Sequence, residues 1–258
     1  MKNTAYLKGL RLWIEGLLLL CLRWAQLKTG FDPDTGLSRP SLPGTILAAA
    51  VAFLAVAECV MSLRGVPGGK RAFLNCFEPP ERRDLPLLAA GSLLICAGGV
   101  LLPGWSALTI AAAVMAAAAA AGFVLFARQL RGGGQPRTLC LLPVMFLSVL
   151  LVLMVYLPEE SNPVLARYAL SVLAAALIAC AFYQLTGLTC REGSLRWFVF
   201  FGDLSVPLCL AAMADSAGNP GRALLWCGCA LTLTVFLVLR RAEPLPESEA
   251  EEDDSGKS

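Results

Sequence analysis

Apolar residues along this chain gather into seven long runs, at 45–63, 85–102, 105–126, 139–157, 163–186, 197–213 and 223–239. A helix that crosses a bilayer needs about 20 largely apolar residues, within a range of about 17–25. Each run meets that test. The breaks carry proline, glycine or charge, as at Leu102-Pro103-Gly104, Gly132-Gly133-Gly134, Glu159-Glu160-Ser161-Asn162 and Gly218-Asn219-Pro220-Gly221, which is the chemistry of turns. An eighth segment, 5–27, has a strong apolar centre at Leu17–Leu22 but also holds Lys8, Arg11, Glu15 and Arg23. It either spans with its cations snorkelling at the ends or lies in the interface as an amphipathic helix. A cleaved leader fits worse, because Glu15 interrupts the apolar stretch and no small-residue cleavage site follows.

The polar connections discriminate between these readings. Lys and Arg number five in 64–84, none in 103–104, three in 128–137, one in 159–167, two in 191–196, one at Arg222 and two at 240–241. High and low counts alternate, and basic loops stay on the cytoplasmic side. Leaving out the distal Lys257, counting the first segment as a span puts 15 cations inside against 5 outside, whereas leaving that span out gives 12 against 8. The pattern therefore predicts an all-α polytopic transmembrane helix bundle of eight spans, or seven if the first segment is interfacial. Residues 1–241 form the bundle, both termini are cytoplasmic, and the membrane is a bacterial plasma (inner) membrane. Residues 242–258 are rich in Glu and Asp and poor in apolar residues; they read as a disordered cytoplasmic tail.

Composition agrees and excludes whole classes. Of the 258 residues 57% are hydrophobic and 16% charged, and the mean hydropathy is +0.67, against about 45–50% apolar and about 25% charged in soluble domains. A disordered chain, a nucleic-acid binder and an ordinary cytosolic enzyme are ruled out. Histidine is absent, which removes a histidine base and histidine metal ligation. The ten cysteines lie mostly inside apolar runs and form no CxxC, so they read as small hydrophobes. No metal and no cofactor is expected. None of the common hydrolase, phosphate-loop or metalloprotease signatures is present, so the chain does not read as an enzyme.

Charge at membrane depth marks the candidate chemistry, because it is costly there and tends to be functional. Glu15 follows Arg11 by four residues, one turn along the same helical face, and reads as half of a local ion pair. Glu58 lies about 8 Å below the basic face and Asp203 about 9 Å, at 1.5 Å per helical residue. Pro207 follows Asp203 by four and strips the Asp203 carbonyl of its helical partner. With Ser205 beside it, this group has the look of a cation-coordinating break in a transporter helix. The candidate intramembrane polar site is thus Asp203, Ser205, Pro207 and Glu58. The opposing reading is a kinked helix whose Asp203 is protonated or bonded to a neighbouring Arg, Gln or Ser, with Gln184, Tyr183 and Arg196 as candidate partners.

Three other stretches have simpler readings. The acidic segment Phe31-Asp32-Pro33-Asp34-Thr35-Gly36-Leu37 lacks the glutamate that would close a calcium loop and reads as an outer-face turn. The basic and aromatic residues of 64–84 suggest contact with anionic headgroups. The alanine-rich run 111–121 predicts a helix hemmed in at the centre of the bundle, because small side chains allow close approach in lipid.

The segment Gly30–Leu37 ahead of an apolar helix resembles a recurring feature of uncharacterised multi-pass membrane proteins of gut clostridia. The stretches Tyr183-Gln184-Leu185-Thr186-Gly187, Phe200-Phe201-Gly202 and Ala212-Met213-Ala214-Asp215 look similar to later parts of the same proteins. The resemblance implies an inner-membrane, many-helix fold and carries no activity; the charged first segment departs from it. Function is expected to be that of a small-solute or ion permease, with a membrane sensor or assembly scaffold as the alternative. The lipid bilayer is the expected partner, together with a partner membrane protein or a second copy of the chain.

Overall fold

The computed structural model describes residues 2–32, 37–70, 72–104, 106–132, 136–157 and 167–241. The expected acidic tail, 242–258, lies outside them. Nine helices are described: α1 (Lys2–Thr29), α2 (Leu42–Gly65), α3 (Phe73–Cys76), α4 (Asp84–Val100), α5 (Ala107–Arg131), α6 (Leu142–Tyr156), α7 (Ala169–Thr189), α8 (Leu195–Ala212) and α9 (Pro220–Leu239). Six helical stretches are long and apolar enough to cross a membrane, namely α2, α5, α6 with its preceding 3-10 turn, α7, α8 with its following 3-10 turn, and α9. They match six of the seven apolar runs to within a few residues. The seventh run is α4, a shorter apolar helix.

Helices α4 to α9 close into a ring. Each packs on the next in chain order, and α9 returns to α4. The α1–α2 pair lies outside this ring, with α1 against α8 and α9 and α2 against α1 and α8. Helix α8 therefore has neighbours on every side, and residues 202 to 212 are buried without a break. A helix that is apolar and buried all round sits at the centre of a bundle. That place belongs to α8 and not to the alanine-rich helix. α5 buries one stripe, Ala112, Ala116, Ala119, Phe123 and Phe126, while Ile110, Val114, Val124 and Leu125 face outward. Small side chains permit close approach on one face and do not dictate how many faces are covered.

Aromatic rings fill the middle of the ring near one end. Phe123 and Phe126 of α5, Phe182 of α7 and Phe236 of α9 lie with centroids 5.7 to 6.2 Å apart. The connection 64–84 completes this plug: α3 turns back into the bundle, stacks Phe73 on Phe77 at 4.3 Å and sets Phe77 against Phe198. Both rings are almost fully buried. These aromatics serve the core, which corrects the expectation that they meet headgroups.

The two ends of the bundle differ in charge. Backbone bridges join Lys70 to Ser194 and Phe77 to Arg240. Arg196 donates to the Val66 carbonyl at 3.0 Å, and Thr189 donates to Thr138 at 2.9 Å. The four arginine- and lysine-rich connections thus converge on one basic end. At the opposite end α2, α5 and α9 begin, capped by Ser41, Ser106 and Asn219, and Gly104 and Gly218 take positive φ in the turns that glycine permits. The turn after α1 closes there too: Phe31 pairs with Ser38 and Arg39 binds Asp32 at 2.6 Å.

Candidate functional site

α1 places its residues in an unusual order. Gly9, Leu12, Gly16, Leu19 and Arg23 are buried, in the three-four spacing of one helical face. Leu7, Leu10, Ile14, Leu17, Leu18 and Trp24 point outward. Lys8, Arg11 and Glu15 flank the buried stripe and turn toward protein. An interfacial helix does the reverse, holding its charges in water and its apolar face in lipid. Contacts run the full length of α1. Tyr6 donates to Asp84 at 2.5 Å near the basic end, Trp13 donates to Thr234 at 3.0 Å midway, and Arg23 meets Asp215 at the other end.

Near the basic end the flanking charges meet the two acids of the membrane interior. Lys8 pairs with Asp203 of α8 and Arg11 pairs with Glu58 of α2. Arg11 also reaches Glu15 across one turn at 3.2 Å. Asp203 is 1% exposed and Glu58 2%. Glu58 and Asp203 lie close enough to interact electrostatically, because Lys8 and Arg11 are three residues apart on α1 and so share a face. Two ion pairs made by α1 therefore tie it to α8 and to α2.

The other sequence-derived candidates fall into place around it. Helix α8 stays continuous through Pro207, and a Cβ placed on Gly16 would come within 3.0 Å of the Pro207 Cα. Pro207 and Leu210 thus lie where α1 packs tightly on α8. The Ser205 hydroxyl donates to the Gly202 carbonyl at 3.1 Å and does not join the carboxylate of Asp203. Nor do the expected partners. Gln184 accepts from the Ser194 amide at 3.0 Å, Arg196 binds Val66, and Tyr183 faces outward. Lys8 takes the role assigned to them.

A cavity of about 130 Å³ opens beside this cluster, lined in part by Lys8, Ser62, Asp203 and Arg240. Asp203 Oδ1, Ser62 Oγ and Arg240 Nη1 are buried there without a hydrogen-bond partner, as is Glu58 Oε2 one turn from Ser62. No group of three or more His, Cys, Asp or Glu side chains that could hold a metal ion occurs among the described residues.

A second polar assembly sits at the opposite end of α1. The guanidinium of Arg23, 1% exposed, donates to Asp215 at 2.7 Å, to Gln26 at 2.7 Å and to the Arg167 carbonyl at 2.6 Å. Ser171 donates to the second oxygen of Asp215. Above it lies a cavity of about 630 Å³, with Lys28, Arg167, Tyr168, Asp215 and Arg222 in its wall. Sequence reasoning missed this assembly, because Arg23 reads as a snorkelling terminal cation and nothing in the pattern gives Asp215 a role. The available signal was the pairing of a lone cation at one helix terminus with a lone acid at another on the same face of the membrane.

Comparison with protein-family models, with curated proteins and with solved structures finds no match to this chain. Its reading rests on its own residues.

Proposed function

We propose that this is an eight-span integral membrane protein of a bacterial plasma membrane, with α1 and α4 completing the set, the basic end and both termini cytoplasmic. Its function is passage of a small solute or ion along the seam between α8 and the α1–α2 pair. The supporting observation is the pair of polar cavities at the two ends of that seam, each beside a buried ion pair made by α1. Lys8 and Arg23 are 15 residues apart, about 22 Å along a helix at 1.5 Å per residue. Between them the seam is closed by Gly16 against Pro207 and Leu210. The ring interior is a poorer route, since phenylalanines fill it.

A closed middle with a vestibule at each end is the arrangement that alternating exposure of one site requires. Asp203 and Glu58 are the groups that a permeating solute or ion meets on the cytoplasmic side. Pro207 supplies the place where α8 lacks one backbone hydrogen bond and bends at least cost. Purified protein in liposomes, assayed with a panel of small labelled ions and solutes, is expected to carry at least one. Asp203→Asn is expected to abolish that flux while the protein remains monodisperse. Flux unchanged by Asp203→Asn, or no flux of any member of the panel, overturns this reading. In the second case, recovery of a stoichiometric membrane-protein partner from mild detergent favours the sensor or scaffold function.

A further inference from the structure

We infer that the small cavity at the basic end is a hydrated proton port, and that Asp203 is the residue it serves. The inference rests on the permease reading only in its last step, where the proton becomes the ion that drives the solute. The port itself stands on geometry.

Its lining decides the ligand. Asp203 Oδ1 can only accept a hydrogen bond when ionised, Arg240 Nη1 can only donate, and Ser62 Oγ does both. All three lack partners, and Asp203 and Ser62 are more than nine-tenths buried. Water satisfies such a mixed set, because it accepts from the arginine and donates to the carboxylate. The volume of about 130 Å³ admits several molecules at about 30 Å³ each. A metal cation fits poorly, since Lys8 and Arg240 face the same space and repel it. An anion fits poorly because of Asp203.

The charges around Asp203 balance before any ligand enters. Lys8, Arg11 and Glu15 come from α1, Glu58 from α2, Asp203 from α8 and Arg240 from the end of α9, three cations against three anions. Any cation added to this set, a proton included, leaves one positive charge uncompensated at membrane depth, which is costly. A proton differs in needing only one free carboxylate oxygen. Lys8 holds Oδ2, which leaves Oδ1 buried beside the cavity without a partner. A hydronium in the cavity gives its proton to Oδ1 and leaves as water; the carboxylate becomes a neutral carboxyl. Lys8 then loses its counter-charge, the attraction that holds the inner end of α1 on α8 disappears, and the seam is free to part on that side. Release of the proton restores the pair.

The test is infrared difference spectroscopy of the full-length protein in lipid nanodiscs, titrated from alkaline to acidic buffer. Subtracting the Asp203→Asn titration from that of the wild type is expected to leave a protonated-carboxyl band, and the same subtraction made in a Glu58→Gln background is expected to leave it too. Should Asp203→Asn fail to fold, Ser62→Leu serves instead: it fills the cavity and leaves the Lys8 pair intact. Deuterium exchange into the carboxyl band is then expected to slow by about tenfold or more, the factor that about 1.4 kcal/mol represents. No band left by the Asp203→Asn subtraction, or exchange unaffected by Ser62→Leu, overturns the port. The solute assay separates this from the broader reading. A titrating Asp203 without flux of any solute keeps the port and removes the permease. Flux indifferent to an imposed pH gradient, with no titrating band, does the opposite.

Discussion

Two seams hold this bundle together by opposite means. Along α4 and α9 the contact is backbone on backbone. Gly91 and Gly98 on one helix and Gly221 and Gly228 on the other repeat at the same interval of seven, and a Cβ on Gly98 would sit 2.7 Å from the Leu225 nitrogen and 2.8 Å from the Gly221 carbonyl oxygen. Along α1, α2 and α8 the contact is charge on charge. Helix α2 buries only Leu47, Glu58 and Ser62, so the Arg11–Glu58 pair is a large part of what holds it. The first seam draws on dispersion between closely fitted surfaces and has nothing to switch. The second depends on ionisation, so one proton alters it. A membrane protein that needs one rigid half and one movable half is served by this division.

The largest effect is expected where the comparison is sterically strictest. Gly98→Leu drives a branched side chain into the α9 backbone, which cannot yield as a side chain does. Overpacking of a fitted interior costs about 1–3 kcal/mol and occasionally more; against backbone that cannot move aside the cost exceeds that range. Loss of monodisperse protein in gentle detergent is expected, measured by size-exclusion chromatography of a fluorescent fusion. A Gly98→Leu protein with wild-type yield and melting temperature would mean that the glycine seam is not rigid.

Next in size is Arg23→Met. It leaves Asp215 buried with its cation removed, and truncating one partner of a buried pair costs about 3–5 kcal/mol, reduced here because the Asp215 side chain keeps 11% exposure and the Ser171 bond. A lower melting temperature with protein still produced is the expected outcome. If Asp215→Ala is combined with it, much of the loss is expected to return.

How far the sequence reveals this division depends on the residue. The six long apolar helices are legible because burial in lipid and burial in protein select the same side chains, and the basic end follows from where arginine and lysine interrupt them. Glu58 and Asp203 stand out for the cost of a charge at their depth. Their partners do not. Lys8 is 195 residues from Asp203 and Arg11 is 47 from Glu58, and which cation meets which acid depends on how α1 is placed along α8. That placement is set by Gly9 and Gly16 packing on Val238 and Leu210, a matter of shape that a hydropathy pattern does not encode. Ring closure between α4 and α9 is hidden for the same reason. Its glycines resemble turn formers until two helices are laid side by side.

A smaller effect, and a sharper one, comes from exchanging the chemistry of the second seam without disturbing its shape. Arg11→Met leaves Glu58 unpaired and is expected to lower the melting temperature; Glu58→Met leaves Arg11 with Glu15 as its partner and is expected to lower it less. Combined, the two are expected to restore stability, since a buried pair replaced by apolar groups of similar volume is often neutral or better. Flux, however, is expected to remain abolished in the double variant. Stability that is recovered together with transport would show that the Arg11–Glu58 charges serve folding alone.

The smallest effect calibrates the others. Lys70 and Glu192 form an ion pair at the basic end, joining the connection before α3 to the turn before α8. It has the chemistry of the Lys8–Asp203 pair, but its side chains are 67% and 65% exposed where Asp203 is 1%. Water screens an exposed pair and the entropy of holding two long side chains offsets its attraction, so such pairs are worth about 0–1 kcal/mol. Lys70→Ala is therefore expected to leave the melting temperature and transport within error of wild type, at low and at high salt alike. A loss comparable to that of Lys8→Met would mean that ion pairs stabilise this protein wherever they occur, and burial would no longer explain why the α1 seam, rather than its surface, responds to a proton.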